Sequence, residues 1–384
     1  MADVIYLDWA ATAPLHPAVR EKVPEWMDVF GNPSSLHRLG MEAENVLSEA
    51  RRTMLESLGA RGGQFVFTGG GTEANNLAIF GSVFAQRDRH AHVVTTAVEH
   101  PAVLEAYRRL EQLGYEVSYV RPREDGDLDW TDVIRAVRED TVLVSVMHVN
   151  NETGAVFPIE RLAQELDKFP RVRFHVDGTQ AFGKIPFSVG DHAIDLYACS
   201  AHKVGGLKGV GGLYIRPRVK LDPHVVGGGQ EFGFRSGTEN VLGAIAFATA
   251  AKASMDAVHR QLPYAGERRR RFVEGLRAIP GWNVIDPPNV SPYIVCATLP
   301  GLKGEVIVHA FEEQGLYVSA GSACSSARSR QKRSHVLEAM NIRREWADAA
   351  VRFSWHPTTT DDELNQALQV VERQSTWLLR MLGR

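Results

Sequence analysis

The feature that most constrains this chain is an alternation of short apolar runs with amphipathic stretches, which begins near Gln64. The runs of strand length lie at 65–67, 92–96, 117–120, 141–147 and 172–176, and segments long enough for helices separate them. Strands that alternate with helices form right-handed crossovers and a mainly parallel sheet with both faces covered. We therefore predict an α/β large domain with a mainly parallel central sheet flanked by helices, which binds ligands beside the strand ends.

The pattern changes in the last third of the chain. The alanine-rich segment 240–258 and the arginine-rich segment 264–279 each predict a helix. Beyond them, strand candidates at 294–299, 316–319 and 350–355 mix with helices, which is typical of a smaller α+β domain. Thr360 and Glu363 form a capping box for a final helix. We expect residues 16–258 to form the large domain, and residues 1–15 and 259–384 to form the small one.

Bulk composition narrows the function. The 384 residues with 44% hydrophobic content can bury a large core, and a net charge of −3 leaves no basic surplus for nucleic acid. The three cysteines, at 199, 296 and 324, have no Cys-x-x-Cys spacing, so neither a zinc site nor a disulfide framework is predicted. No basic leader and no bilayer-length apolar run is found, so we expect a cytoplasmic protein outside the membrane.

Lys203 lies in Ser200-Ala201-His202-Lys203, between a strand-like run at 194–198 and a glycine-rich stretch at 204–212. A lysine in this position can hold an aldehyde cofactor as a Schiff base if its surroundings keep part of the amine neutral. The alternative is a solvated surface lysine, because lysines are mostly exposed. The neighbouring motifs decide between the two.

A glycine-rich turn at 69–74 follows the first strand of the series and opens a helix. Its glycines, Gly71 among them, allow close backbone approach, the helix N-terminus supplies free amides, and Thr72 adds a hydroxyl. These are the requirements of a phosphate site. The turn also matches a dinucleotide fingerprint weakly, since no ribose-binding acid follows the next strand, and a plain tight turn stays open as an alternative.

Two further polar residues follow strands. Asp177 ends the run at 172–176, where a carboxylate can meet a protonated ring nitrogen, as a pyridoxal ring requires for accepting electrons. His100 follows the run at 92–96 and can lie over an aromatic cofactor or move protons. A helix cap at Asp177 and an ordinary histidine at position 100 are the alternatives.

Cys324 lies among small residues at 319–326, directly after a strand candidate. Small neighbours predict an accessible thiol, and nearby cations favour the nucleophilic thiolate; the basic residues that follow it are Arg328, Arg330, Lys332 and Arg333. A buried, inert cysteine is the alternative. We expect that inert state for Cys199 and Cys296, which lie in apolar runs.

Taken together, these motifs resemble the cysteine desulfurases, pyridoxal-phosphate enzymes of the class V aminotransferase group with the type I fold. The resemblance covers nearly the whole chain. It is carried by the segments 6–8, 10–12, 30–37, 72–76, 149–154, 176–180, 200–203, 235–240 and 321–324.

The resemblance implies a role for each site residue. Lys203 would carry the cofactor, Asp177 would pair with its ring nitrogen and His100 would stack on the ring. Asn151 and Gln180 would contact the side of the ring that bears the phenolic oxygen. The phosphate would be bound by Gly71, Thr72, Ser200 and His202. Thr238 would reach the phosphate of the other subunit, which implies a homodimer. Arg352, together with Asn151, would hold the substrate carboxylate.

The implied reaction removes sulfur from L-cysteine. The substrate displaces Lys203 from the cofactor, the freed amine takes the α-proton, and Cys324 attacks the sulfur. L-Alanine leaves and a persulfide stays on Cys324 for transfer to an acceptor, of which an iron–sulfur cluster scaffold is the first expected. The basic stretch after Cys324 either helps an acidic acceptor to dock or is a solvated loop.

Two departures from the family pattern concern shape. Trp9 stands where the family usually has asparagine, and the segment 204–208 lacks the usual Gly-Pro-Lys.

Three alternatives to a cysteine desulfurase are open. They are selenocysteine lyase or another class V reaction on the same fold, an NAD-dependent oxidoreductase built on the glycine-rich turn, and a partner protein without activity.

Overall fold

The computed structural model describes residues 4–86, 91–321 and 333–381. Its strands are β1 (Ile5–Tyr6), β2 (Gln64–Thr68), β3 (His92–Thr96), β4 (Glu116–Val120), β5 (Thr141–Met147), β6 (Arg173–Asp177), β7 (Leu196–Ser200), β8 (Gly211–Ile215), β9 (Asn283–Ile285), β10 (Ile294–Thr298), β11 (Leu316–Tyr317), β12 (Ser319–Ala320) and β13 (Ala350–Ser354). Its α-helices are α1 (Pro17–Trp26), α2 (Arg38–Ser57), α3 (Gly71–Ala85), α4 (Pro101–Gln112), α5 (Trp130–Ala136), α6 (Ile159–Leu166), α7 (Val241–Ala278), α8 (Gly304–Glu312), α9 (His335–Ala339), α10 (Arg344–Asp348) and α11 (Asp361–Met381).

The largest sheet has seven strands in the order β2-β8-β7-β6-β5-β3-β4. Strands β7, β6, β5, β3 and β4 pair in parallel, whereas β8 runs antiparallel to both of its neighbours, β2 and β7. Every strand of this sheet except β8 therefore points the same way. The predicted α/β fold with a mainly parallel central sheet is confirmed, and the carboxyl ends of β2, β3, β5, β6 and β7 lie along one edge.

Successive residues of the central strands pack on opposite faces of the sheet, as the pleat requires. On β3, Val93 packs in a cluster with Tyr107 of α4, whereas Val94 packs in a larger cluster with Leu47 of α2 and Phe247 of α7. Both faces are thus covered by helices. This burial explains why the strands are recognisable as apolar runs in the sequence.

Helix α7 is continuous from Val241 to Ala278, although two helices were predicted. Pro263 lies inside it and removes one backbone donor. The helix continues because both of its halves pack into cores: Phe247 in the large cluster and Phe272 in a second one. Its window Val241–Val258 is long and apolar enough to cross a membrane, so the prediction that the sequence contains no apolar run of bilayer length was wrong. However, 56% of this window is buried inside the protein, as in a core helix. The domain division near residue 258 stays a prediction.

The C-terminal part contains an antiparallel sheet in the order β12-β13-β10-β9, and β1 pairs in parallel with β11. The single strand predicted at 316–319 forms two short strands, because β11 pairs with β1 and β12 pairs with β13. The predicted capping box of α11 is confirmed: Thr360 N donates to Glu363 Oε2 (2.7 Å), and Glu363 N donates to Thr360 Oγ1 (3.2 Å).

Candidate active site

The carboxyl edge of the central sheet gathers the polar motifs. Asp177 is the last residue of β6, and the segments that follow β2, β3, β5 and β7 carry the glycine turn, His100, Asn151 and Lys203, respectively. They surround a cavity of about 200 Å³, which is lined by Ala10, Gly71, Thr72, Asn75, His100, Met147, Val149, Asn151, Asp177, Thr179, Gln180, Ser200, His202, Lys203 and Arg352. All the predicted cofactor and substrate residues within the described ranges line it, with the exception of Thr238.

Two of the predicted site residues are not among those that line the cavity, for different reasons. Thr238 is exposed on the loop before α7, and the contact expected with another subunit stays a prediction. Cys324 lies outside the described residues, as do Arg328, Arg330 and Lys332. The inert state expected for the two other cysteines agrees with their burial, which raises the pKa of the Cys296 thiol to about 12 and that of the Cys199 thiol well above its ordinary value.

One end of the cavity can hold a phosphate. Helix α3 begins at Gly71, so the first amides of the helix face a region without helical acceptors. A Cβ on Gly71 would lie 3.2 Å from both Ser200 Cβ and Thr179 Oγ1, so glycine at this position lets the hydroxyls approach the amides. His202 Nδ1 lies 3.1 Å from Thr12 Oγ1, and burial, followed by nearby lysines, lowers the His202 pKa to about 4.

Asp177 lies at the other end of the cavity, buried at the end of β6. Its Oδ2 accepts a hydrogen bond from Asn75 Nδ2 (2.8 Å), and its Oδ1 accepts one from the amide of Thr179 (3.0 Å). Hydrogen bonds to both oxygens fix the orientation of the carboxyl group. Such a carboxylate can pair with a protonated ring nitrogen.

His100 is the N-cap of α4, and its Nδ1 accepts a hydrogen bond from Ala102 N at 3.1 Å. Because Nδ1 accepts, a neutral ring carries its proton on Nε2. Burial lowers the pKa of His100, which keeps the ring neutral. A neutral imidazole at the cavity wall suits stacking on an aromatic ring.

Lys203 Nζ donates to the carbonyl oxygens of Ala10 (2.6 Å) and Ala11 (2.8 Å), so the N-terminal segment helps to orient the amine. Gln180 Nε2 also donates to the Ala10 carbonyl, at 2.8 Å. Behind Gln180 lies Lys184, whose Nζ donates to Gln180 Oε1 at 2.7 Å. Burial, followed by the charges of Lys203 and Arg352, lowers the Lys184 pKa to about 7.

Arg352 on β13 brings the C-terminal sheet to the cavity. Its guanidinium donates through Nη1 to the carbonyl of Asn151 (2.8 Å) and pairs through Nη2 with Asp8 Oδ1 (2.8 Å). These contacts hold a buried planar fork at the site, as recognition of a carboxylate requires. Trp9, which lies between Asp8 and Ala10 in the sequence, stacks on His356 with ring centroids 4.6 Å apart and is not among the residues that line the cavity.

Sequence reasoning missed several residues that surround the cavity. Asn75 follows Thr72 by three positions, so the spacing alone puts both on one face of α3. Lys184 follows Gln180 by four positions, but nothing in the sequence marks it as buried. The hydrogen bond from Thr179 N to the Asp177 side chain closes a turn. The helix-cap alternative for Asp177 involves the same kind of bond, from a backbone amide to the carboxylate.

The donors around the cavity fit pyridoxal phosphate. A helix N-terminus with hydroxyls suits the phosphate, a buried carboxylate suits the ring nitrogen, and Lys203 suits the aldehyde carbon. The described residues hold no group of three or more histidines, cysteines or carboxylates that could bind a metal ion.

Comparison with known proteins agrees with this geometry. The family model Aminotransferase class-V matches residues 5–367. The chain is 39% identical over 372 residues to "Cysteine desulfurase IscS" of Dictyoglomus turgidum, which covers 96% of this chain and 94% of the relative. A solved "NIFS-LIKE PROTEIN" is 32% identical with a TM-score of 0.90, over 98% of this chain and 100% of that one.

A second solved structure, "SspA in complex with cysteine", is 30% identical with a TM-score of 0.79, over 92% of this chain and 99% of that one. The chain therefore belongs to the class V aminotransferase family and, within it, to the cysteine desulfurases.

Proposed function

We propose that this pyridoxal-phosphate enzyme converts L-cysteine to L-alanine and leaves the sulfur as a persulfide on Cys324. The observation that carries the proposal is the cavity in which Lys203, Asp177 and Arg352 meet. These residues supply an amine for the cofactor, a partner for its ring nitrogen and a fork for the substrate carboxylate. The resemblance of the chain to cysteine desulfurases over nearly its whole length supports the same activity.

The residues around the cavity would hold the cofactor by its two ends. The amides at the start of α3, with Thr72, Ser200 and His202, would bind the phosphate. Asp177 would bind the ring nitrogen, His100 would cover the ring, and Asn151 and Gln180 would contact the phenolic oxygen. When bound, the cofactor supplies an electron sink for the bond that breaks at the substrate α-carbon.

Lys203 would act twice. Its Nζ would first hold the cofactor and then, once displaced by the substrate amine, take the α-proton. The carbonyls of Ala10 and Ala11 would keep the freed amine close to its working position. Arg352 would orient the substrate carboxylate, and its bond to the Asn151 carbonyl would keep the guanidinium plane fixed.

Cys324 would attack the substrate sulfur, an assignment that rests on the resemblance of residues 321–324 to the family motif. We propose an iron–sulfur cluster scaffold as the sulfur acceptor, on the ground of the similarity to cysteine desulfurases over nearly the whole chain. We also propose a homodimer, on the ground of Thr238, and a cytoplasmic location. Free, buried Cys199 and Cys296 agree with a reducing compartment.

The rival functions differ in support. An NAD-dependent oxidoreductase is excluded by membership in the class V aminotransferase family, over residues 5–367. An inactive partner protein is disfavoured because Lys203, Asp177 and Arg352 are all present in one cavity. Selenocysteine lyase chemistry uses the same fold and remains as a second substrate to be assayed beside L-cysteine.

The test is Cys324→Ala in enzyme that has been reconstituted with pyridoxal phosphate. We expect the variant to keep its yellow colour and lose alanine formation from L-cysteine. The matched control is Cys296→Ala, which removes a buried thiol on β10 and should retain activity. Full alanine formation by Cys324→Ala would contradict the persulfide mechanism, and selenocysteine turnover by the same variant would favour the lyase.

A further inference from the structure

A line of buried polar side chains extends from Asp177 into the sheet, and the proposed reaction does not use it. Tyr107 OH donates to Ser145 Oγ (2.7 Å), which lies 3.0 Å from His175 Nδ1. His175 Nε2 lies 3.1 Å from Asn75 Oδ1, and Asn75 Nδ2 donates to Asp177 Oδ2 at 2.8 Å. The line joins α4, β5, β6 and α3. Each of the four residues behind Asp177 is at most 1% exposed.

The chemistry of these groups fixes the direction of the hydrogen bonds from Ser145 to Asp177, whereas the Tyr107 hydroxyl also donates to the Val94 carbonyl at 3.0 Å. An ionised carboxylate only accepts, so the amide NH₂ of Asn75 faces Asp177 and its carbonyl faces His175. His175 must then carry its proton on Nε2, which leaves Nδ1 to accept from Ser145. Burial lowers the pKa of His175 to about 4, so the ring is neutral at neutral pH. Each donor from Ser145 onwards therefore points towards Asp177.

We propose that Asn75 and His175 are positioning residues that hold Asp177 as the ionised partner of the cofactor ring nitrogen, with Ser145 and Tyr107 as the far end of the line. The inference rests on the proposed role of Asp177. The ring nitrogen of a bound cofactor and Asp177 would compete for one proton. The hydrogen bond that Asn75 donates to Asp177 Oδ2 would stabilise the carboxylate, so the proton would stay on the nitrogen and the ring could accept electrons.

The line is built into the fold. His175 and Asp177 are two residues apart on β6, so both side chains lie on the same face of the sheet. Ser145 is the register partner of His175 on β5. Asn75 reaches the line from the second turn of α3, and the first turn of the same helix forms the proposed phosphate site. One helix thus contacts both ends of the cofactor site.

A buried polar cluster that only stabilises the core is the competing explanation. It predicts changes in stability without changes at the ring nitrogen. The chain offers a matched control in His148, which is also buried. Its Nδ1 lies 3.1 Å from Tyr197 OH and its ring packs on Phe187, so its side chain lies outside the line.

The experiment compares Asn75→Leu, His175→Phe and His148→Phe in the holoenzyme loaded with pyridoxal phosphate that carries ¹⁵N in the ring. The nitrogen chemical shift reports its protonation, and the dissociation constant of the cofactor is measured in parallel. We expect the ring nitrogen pKa to fall by at least about one unit, a tenfold change, in Asn75→Leu and by less in His175→Phe. His148→Phe should match the wild-type enzyme. Wild-type shifts in both Asn75→Leu and His175→Phe would overturn the proposal.

Asp177→Asn distinguishes a failure of the proposed role of Asp177 from a failure of the proposed role of Asn75 and His175. If it leaves the ring nitrogen protonated, the proposed role of Asp177 fails; if it alone deprotonates the nitrogen, only the role of Asn75 and His175 fails. Should the variants not fold, ¹⁵N spectra of histidines in the wild-type holoenzyme provide the test, with the His175 signals assigned through scalar couplings along β6. We expect the His175 ring to be neutral with its proton on Nε2. A charged His175 at neutral pH would refute the line.

Discussion

Lys184→Met should remove a pH dependence from the stability of this enzyme. The Lys184 ammonium is buried, its hydrogen bond goes to the uncharged amide oxygen of Gln180, and the charges that act on it, from Lys203 and Arg352, are both positive. Its pKa of about 7 in the folded protein lies below the ordinary value of 10.5. Between these two values, the unfolded chain binds more protons than the folded one.

The direction of the change in stability with pH follows from this difference in proton binding. Wild-type stability should rise as the pH increases from about 7 towards 10.5, because the cost of burying the charge disappears once the folded protein releases the proton. For one group with these two pKa values, the gain between pH 7 and pH 9 is about 2 kcal/mol. Lys184→Met lacks the group and should not show this gain.

Urea unfolding of both proteins at a series of pH values measures the effect. The free energy of unfolding of the wild type minus that of Lys184→Met should rise by about 2 kcal/mol from pH 7 to pH 9. A constant offset, from the lost hydrogen bond and the added apolar burial, does not affect this difference. Lys168→Met, at an exposed lysine paired with Glu165, is the control. Parallel stability curves for the wild type and Lys184→Met would refute the reasoning.

Two further changes test the carboxylate fork and a buried ion pair. Arg352→Lys should raise KM for L-cysteine by about 30-fold in steady-state assays, because an ammonium cannot replace the bidentate fork; an unchanged KM would count against carboxylate binding by Arg352. Glu231→Gln should cost roughly 3 kcal/mol of unfolding free energy in urea, since it removes the buried carboxylate that pairs with the half-buried Arg51. The exposed pair at Glu105 gives the matched control, Glu105→Gln, which should cost under about 1 kcal/mol.

The central sheet could be predicted from the sequence because its strands are buried on both faces. The runs at 92–96 and 141–147 agree with β3 and β5 at every residue. Apolar runs and turn residues are local signals, and the loops that follow parallel strands meet at one edge. The positions of Lys203, Asp177 and His100 in one cavity follow from that geometry.

The remaining features depend on contacts between distant residues. Helix α7 passes Pro263 because packing in two cores outweighs one lost hydrogen bond. The segment predicted as one strand is divided into β11 and β12 because β11 pairs with β1 and β12 pairs with β13. Lys184 and His175 resemble ordinary polar residues in the sequence, because their roles depend on the side chains that lie beside them in the fold.

The N-terminal segment has a consequence for synthesis of the enzyme. Ile5 pairs with Leu316, Ala10 N donates to Ser354 Oγ (2.9 Å), and the Ala10 carbonyl accepts from Lys203 Nζ. Ala10 is synthesised 344 residues before Ser354, so the contacts of this segment at the active site are complete only after β13 has left the ribosome. Contacts of such long sequence separation form late and slowly. We expect ribosome-bound chains that end before β13 to bind pyridoxal phosphate weakly, so that cofactor capture follows translation.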